Sequence, residues 1–368
     1  MSHRPLTIGI DARAAVEVPA GRGRLVRELL LALSAREDDG HRYLLYARTK
    51  WDCESLDERF QWRLIPARDP WWHLLAARAA NRECGVFLSS NSYLTTWFLR
   101  VPAVPIIYDL VAFDRKMRPN RRSALIEWAT LGLAVRRSAA FIAISQATAN
   151  ALAERYPRAA ALTTVALLGV APTLTTEPDP AEASSLPEPG FVLAVGTLEP
   201  RKNLPRLVAA YSQLPGELQR LHPLVVVGAL GWQTGETVDA LKSLGERCTM
   251  LGYVSDEALA ELYRRCSVFC YPSLGEGFGL PVLEAMAAGA AVLTSNLSSL
   301  PEVGGDAAEY VDPHQVASIA DGLARLLSDD LRRSDLARRG QIRAGAFSWE
   351  NFAQITVRTL ETASGMGQ

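Results

Sequence analysis

Two glutamates eight residues apart, Glu276 and Glu284, bracket a glycine-rich run in the stretch 271–289, YPSLGEGFGLPVLEAMAAG. An apolar strand leads into a loop carrying Gly275, Gly277 and Gly279. The loop leads into a helix whose first turn suits Pro281 and whose stop suits Gly289. Glycines let a backbone approach a ligand closely. The amides of Phe278, Gly279 and Leu280 then stand at a helix N-terminus, where unsatisfied N–H donors and the helix dipole favour phosphate. The spacing predicts Glu276 in the loop and Glu284 in the first helical turn. Two carboxylates at one strand's carboxyl edge can hold sugar hydroxyls with phosphate-binding amides between them. The alternative is that Glu284 only complements the dipole and the glycines only shape a tight turn.

A second group of chemical residues lies in 191–203, FVLAVGTLEPRKN. A strand ends at Gly196, and Arg201 and Lys202 stand just before the next helix. An arginine fork beside a lysine point charge can clamp a diphosphate, although adjacent basic residues can also be simply solvated. Lys202 stands out because the chain has lysine only at 50, 116, 202 and 242 and otherwise uses arginine. A third group, Gly21 and Gly23, lies in a loop of about ten residues between the first strand and its helix. A lone GxG is a weak signal, but the carboxyl edge of a first strand is where open α/β sheets bind ligands. A fourth, Tyr108 and Asp109, follows another strand (IIYDL, 106–110); the aspartate either serves a ligand or caps the following segment.

The elements that must position these groups repeat from end to end: a short apolar run, a turn, an amphipathic stretch. Strands are predicted at 6–10, 43–47, 86–89, 104–108, 141–144 and 164–168, then at 191–195, 224–227, 248–251, 268–271 and 291–294. Helical patterns at 24–35, 121–137, 204–213, 256–265 and 315–327 separate them. Continuous apolar strands alternating with helices imply parallel sheets covered on both faces, the doubly wound α/β class. The alternation breaks once, at 171–190, a segment with five prolines that reads as a connector. The 368 residues thus divide into two halves, each sized for one Rossmann-like domain.

Charge divides unevenly across that break. The total of −1 splits into 24 Lys+Arg against 16 Asp+Glu in residues 1–170, and 15 against 24 afterwards. The near-neutral total argues against a nucleic-acid binder, whereas a basic first half suits an anionic acceptor or a membrane surface. The cluster Arg115, Lys116, Arg118, Arg121 and Arg122, ahead of Trp128, fits peripheral attachment. No apolar run reaches the roughly 18 residues of a membrane span, and no leader peptide is evident, so the expectation is a cytoplasmic protein. Five cysteines and five histidines are scattered without metal-ligand spacing and read as ordinary core or surface residues.

Together these motifs resemble the family-4 retaining glycosyltransferases (group 1) of GT-B fold, in a mannosyltransferase-like subgroup. GIDAR with GRGRLVRELL, FIAIS (141–145), GTLEPRKN (196–203), GYVSDEALAELY (252–263), EGFGLPVLEAMAAG (276–289) and SNLSSLPEVGGDAAEYVDP (295–313) carry the resemblance over nearly the whole chain. Glu276 and Glu284 match the family's paired glutamates. The resemblance implies two Rossmann-like domains facing a cleft: an acceptor domain at 1–170, a donor domain at 171–347, and a terminal segment, 348–368, whose helix crosses back. It implies sugar transfer with retention from a nucleotide diphosphate sugar, GDP-mannose or a UDP-sugar, to a glycan or lipid-linked acceptor, with neither cofactor nor Asp-x-Asp metal. The setting it implies is bacterial surface polysaccharide assembly, at the inner face of the membrane.

Residue by residue, the resemblance assigns the diphosphate to Arg201 and Lys202 and the distal phosphate to the amides of Gly279 and Leu280. Gly277 and Phe278 lie within that motif, and Gly196 and Thr197 line the same donor site. Glu276 would take donor sugar hydroxyls and Glu284 the ribose. Tyr253 and Val254 would line the base site, and Gly21 and Gly23 would admit phosphates and acceptor. Two departures stand out. Tyr108 precedes Asp109 where many relatives have histidine, with no other histidine near a site motif, and Thr197 stands where some relatives have arginine.

Overall fold

The computed structural model describes residues 5–18, 21–36, 40–110, 121–170, 184–232 and 234–365; of residues 121–124 and 127 it describes the backbone alone. The chain forms two compact units, one of Met1–Gly169 with Ser348–Gln368 and one of Val170–Phe347. Most of the connector expected at 171–190 lies outside the described residues, as do Arg115, Lys116 and Arg118 of the basic cluster.

The first unit is a seven-stranded parallel sheet: β1 (Thr7–Asp11), β2 (Arg42–Ala47), β3 (Phe60–Leu64), β4 (Val86–Ser89), β5 (Ala103–Ile107), β6 (Phe141–Ala143) and β7 (Thr163–Val165), in the order β3-β2-β1-β4-β5-β6-β7. Val86, Phe87, Leu88, Val104, Ile106, Ile107, Phe141 and Ile142 are all sealed from solvent, as expected of strands with helices on both faces. The helix Trp349–Ala363 completes this unit. Ser348 caps it by accepting from the Asn351 amide at 3.1 Å, and Phe352, Ala353, Val357 and Leu360 are buried. It packs on the helix Arg22–Ser34 and on β4 and β5. Gly169 fits so tightly there that a Cβ would lie 2.4 Å from the Trp349 nitrogen.

The second unit repeats the plan with six parallel strands: β8 (Val192–Val195), β9 (Leu224–Val227), β10 (Cys248–Gly252), β11 (Val268–Tyr271), β12 (Val292–Ser295) and β13 (Ala308–Val311), in the order β10-β9-β8-β11-β12-β13. Each sheet therefore reverses its winding once, between β1 and β4 in one unit and between β8 and β11 in the other. That reversal opens the crevice in which doubly wound sheets hold ligands.

Two expectations need correction. The loop between β1 and Gly21 is not wholly irregular: Arg13–Glu17 forms a short helix whose Arg13, Ala14 and Ala15 are buried. Strands β3 and β13 belong to the sheets although the apolar pattern did not mark them. Both lie at sheet edges, where Gln61, Arg63 and Tyr310 interrupt the apolar run and are only partly covered.

Candidate active site

The winding reversal of the second unit gathers the strongest chemistry. After β8 the chain passes Gly196, at φ 135°, and reaches a single 3-10 turn, Pro200–Lys202. Asn203 follows in the left-handed region, φ 62°, where its short amide side chain is tolerated. Its Nδ2 donates to the carbonyls of Pro272 (3.0 Å) and Pro313 (2.8 Å), tying this turn to the loops after β11 and β13. The Leu274 amide completes the tie by donating to the Arg201 carbonyl at 2.9 Å. Gly196, Lys202, Tyr271 and Pro272 line a pocket here.

The loop after β11 is held from β12's side by hydroxyls. Thr294 donates to the Tyr271 carbonyl (2.9 Å), Ser295 to that of Ser273 (2.7 Å), and Ser299 to those of Glu276 (3.0 Å) and Phe278 (2.8 Å). Ser298 accepts from the Glu276 amide at 2.9 Å. Gly279, at φ 108°, precedes the helix Leu280–Ala287, and a Cβ there would lie 2.7 Å from Leu300. Because this glycine must come first, the helix starts only at Leu280 and Glu284 falls in its second turn, not the first. There it is 4% exposed and accepts from the Tyr263 hydroxyl at 3.2 Å, so it is no dipole-capping residue.

Glu276 is the focus. Its Oε1 accepts from Lys202 Nζ (2.8 Å), the Tyr271 hydroxyl (2.8 Å) and the Ser273 hydroxyl (2.7 Å), and its Oε2 pairs with Arg201. Burial alone would raise this carboxyl, but the charges of Lys202 and Arg201, with hydrogen bonds from Lys202 and Ser273, hold it at about 2. Burial lowers the Lys202 ammonium; Glu276 opposes that shift and Arg201 adds to it. The Tyr271 hydroxyl is pushed well up, by burial first and by Glu276 next. A buried anion gripped by two cations at a sheet's winding reversal leaves one positive charge in excess among the three, and an incoming anion can compete for those cations.

Of the other residues expected in the donor site, Thr197 packs its methyl against Gly231, and Phe278 is buried edge-on to Phe347, ring centroids 6.0 Å apart. Tyr253 and Val254 follow β10, two strands from β8, with Tyr253 71% exposed. Three residues at the focus carried no mark in the sequence: Tyr271, Ser273 and Glu199, whose Oε1 accepts from Arg201 Nε at 3.0 Å. All three lie inside the stretches 191–203 and 271–289, and closeness in sequence to Arg201, Lys202 and Glu276 was the one signal available.

The winding reversal of the first unit gathers a second group. Tyr108 follows β5 and donates to the Ser90 carbonyl, and Ser90 donates to that of Asp11. Arg22 donates to the Asn91 carbonyl at 3.3 Å and lies 5.8 Å from the Tyr108 ring; Asp109 is next in the chain. Gly21, φ 56°, faces open space, but Gly23 is pressed on its own loop: a Cβ would lie 1.7 Å from the Val18 carbonyl oxygen. Buried Arg13 forks onto Asp11 (2.9 and 2.7 Å), reaches Asp69 at 3.2 Å and lies 3.6 Å over the Trp72 ring. His73 joins it, 3.3 Å from Asp69 and 2.8 Å from Thr95. A histidine therefore does stand beside a site motif, GIDAR, contrary to the sequence-based expectation. It comes from the helix Trp71–Glu83, which the strand-and-helix pattern did not mark. Among the described residues no three His, Cys, Asp or Glu side chains gather as a metal site, and no helix is long and apolar enough to cross a membrane.

Comparison with known proteins gives these geometries a lineage. Residues 176–343 match the family described as glycosyl transferases group 1. The O-antigen chain mannosyltransferase B of Escherichia coli is 45% identical over 178 residues, covering 47% of this chain and 46% of that protein. The chain thus spans less than half the length of the first curated relatives it matches. In fold it is similar to the sucrose-phosphate synthase of Thermosynechococcus elongatus (TM-score 0.77, 21% identity, 98% of this chain and 99% of that one). It is similar also to HepE of Anabaena, solved in complex with UDP and glucose (TM-score 0.76, 18% identity, 97% and 100%). The chain has the GT-B fold, and its residues 176–343 form a glycosyltransferase group 1 domain.

Proposed function

We propose that this protein is a retaining glycosyltransferase moving a hexose, mannose in our reading, from a nucleotide diphosphate sugar to a glycan or lipid-linked acceptor of the bacterial surface. The observation that carries this reading is the clamp of Arg201 and Lys202 on buried Glu276 at the reversal between β8 and β11, inside the matched segment. On donor binding the two cations turn from the carboxylate to the diphosphate. They stabilise the charge it gains as the anomeric C–O bond breaks with its electrons on the leaving group, a contribution worth several kcal/mol in such sites. Glu276 is then free to accept from the donor sugar's hydroxyls, Glu284 from the ribose, and the amides of Gly279 and Leu280 face the distal phosphate. Retention requires the acceptor oxygen to bond on the face the diphosphate leaves, and no cofactor or metal enters this account.

GDP-mannose is favoured by the 45% identity to a mannosyltransferase over 178 residues, and a UDP-sugar is the alternative that the HepE complex keeps in view. In this reading the acceptor binds the first unit, near the carboxyl edge where Arg22 lies 5.8 Å from the Tyr108 ring, with Gly21 and Asp109 beside them in the chain. Exposed Leu125, Ile126 and Trp128 on the helix Arg121–Arg137, in the basic half of the chain, suit peripheral contact with the cytoplasmic face of an anionic membrane.

A thermal-shift panel of nucleotide sugars tests the donor, since a ligand that binds only the folded state raises the melting temperature. Radiolabelled transfer to a surface-glycan acceptor tests the chemistry. No shift with any nucleotide sugar, or label recovered only as sugar phosphate or an isomerised donor, would overturn the proposal.

A further inference from the structure

Arg201 is gripped on the edge opposite Glu276. Its Nε donates to Glu199 Oε1 at 3.0 Å and its Nη2 donates to the same oxygen, while Nη1 donates to the Gly275 carbonyl at 3.1 Å and pairs with Glu276. The second oxygen of Glu199, Oε2, accepts from the indole Nε1 of Trp232 at 3.1 Å. Glu199 belongs to the loop after β8 and Trp232 to the loop after β9, and a parallel bridge between Leu198 and Leu230 holds the loops together. Gly231 closes that junction, since a Cβ there would lie 2.6 Å from the Leu198 carbonyl oxygen.

The charges make Glu199 conspicuous. Arg201 and Lys202 already face Glu276, and Glu199 brings a second carboxylate against them. An anion bound by these cations is held more weakly for its presence, because a nearby negative charge lowers the local potential. A residue that opposes the affinity of its own site needs another reason to be there, and the hydrogen bonds supply one. Two N–H groups fixed on one carboxylate oxygen set the guanidinium plane and leave Nη1 pointing to the Glu276 side. A fork held in advance loses less freedom when it engages a ligand.

We propose that Glu199, itself oriented by Trp232, is the positioning residue that sets the plane of Arg201, favouring turnover over donor affinity. This rests on the reading of Arg201 as a ligand of the donor's diphosphate. Glu199→Gln keeps the side chain's size. Its amide can no longer accept from both Arg201 and the Trp232 indole without turning a donor toward one of them.

The test separates binding from turnover. Glu199→Gln is expected to lower kcat roughly tenfold or more while GDP and inorganic pyrophosphate bind as tightly as before or tighter, a split that loss of general structure does not produce. Trp232→Phe, which keeps an aromatic ring and loses the N–H, should lower kcat in the same direction by less. In an Arg201→Ala background, Glu199→Gln should have no further effect on kcat, because the two residues act as one. A proportional loss of GDP affinity and kcat, or an undiminished effect in that background, would overturn the proposal. If the unaltered protein transferred no sugar at all, the glycosyltransferase reading would fall by itself. The positioning claim is then decided by nitrogen-15 NMR of the arginine Nε–H groups. The Arg201 signal, identified by its loss in Arg201→Ala, should exchange slowly with solvent in the unaltered protein and rapidly in Glu199→Gln. Equal exchange would refute it.

Discussion

Lys202 and Glu276 are 74 residues apart in sequence and 2.8 Å apart in space, one in the turn after β8 and the other in the loop after β11. The sheet's winding makes them neighbours, since β8 and β11 are adjacent strands although two others lie between them in the chain.

Lys202→Ala should reduce turnover by about 100-fold or more, the scale expected when a donor to developing charge is lost. Its side chain is only 11% exposed, so the variant should also melt earlier than one with a surface lysine removed, because Glu276 stays buried with one cation fewer. Steady-state transfer kinetics and a melting curve check both parts; near-normal kcat would remove Lys202 from the diphosphate.

Glu276→Gln should damage catalysis more than nucleotide binding, since on the proposed function it releases two cations for the phosphates while taking away the group that would meet the sugar. Calorimetry with GDP beside transfer kinetics distinguishes the two, and equal losses would contradict the assignment. The same variant should alter acid stability. The carboxyl sits at about 2 in the fold against an ordinary 4.5, so its stabilisation is present above 4.5 and is lost as pH falls toward 2. The glutamine variant should lack that part of the acid slope.

His73 sets a second pH window. Burial first, and the Arg13 charge next, lower it to about 4 from 6.5, against smaller opposing effects of Asp69 and Asp11. The unfolded chain therefore takes up a proton at a pH where the folded one does not. This group's stabilisation is complete above 6.5 and declines as pH falls to 4. His73→Gln should flatten the fall in melting temperature over that range; an unchanged profile would place the acid sensitivity elsewhere.

Membrane contact is tested with anionic vesicles. Replacing Leu125, Ile126 and Trp128, which are 63%, 64% and 51% exposed, by glutamate should abolish cosedimentation, as should neutralising the basic residues 115–122. Sedimentation unaffected by either set would refute attachment through this helix.

The core strands were legible because burial on both faces leaves an unbroken apolar signature, as in LVVV of β9 and VFCY of β11. The edge strands β3 and β13 were not, because one flank of an edge tolerates polar residues such as Arg63. Arg201, Lys202 and Glu276 could be singled out because the charges interrupt apolar and glycine-rich runs. Their convergence on one carboxylate could not, for it depends on strand order. Glu199 and Trp232 were hidden for the same reason: their hydrogen bond spans 33 residues and exists only because β8 and β9 pair. Gly23 shows the converse error. Its spacing suggested room for a ligand, yet its missing side chain makes room for the carbonyl of Val18.

The first unit closes its core with the helix Trp349–Ala363, which follows the whole of the second unit in sequence. During synthesis from the N-terminus, β4 and β5 therefore wait for Phe352, Val357 and Leu360 until the whole of the second unit has been made. The second unit, made of one continuous stretch, can complete itself first. The order of birth and the order of completion are thus reversed, and a nascent chain that has not yet released residues 349–363 from the ribosome carries a first unit whose core is still open.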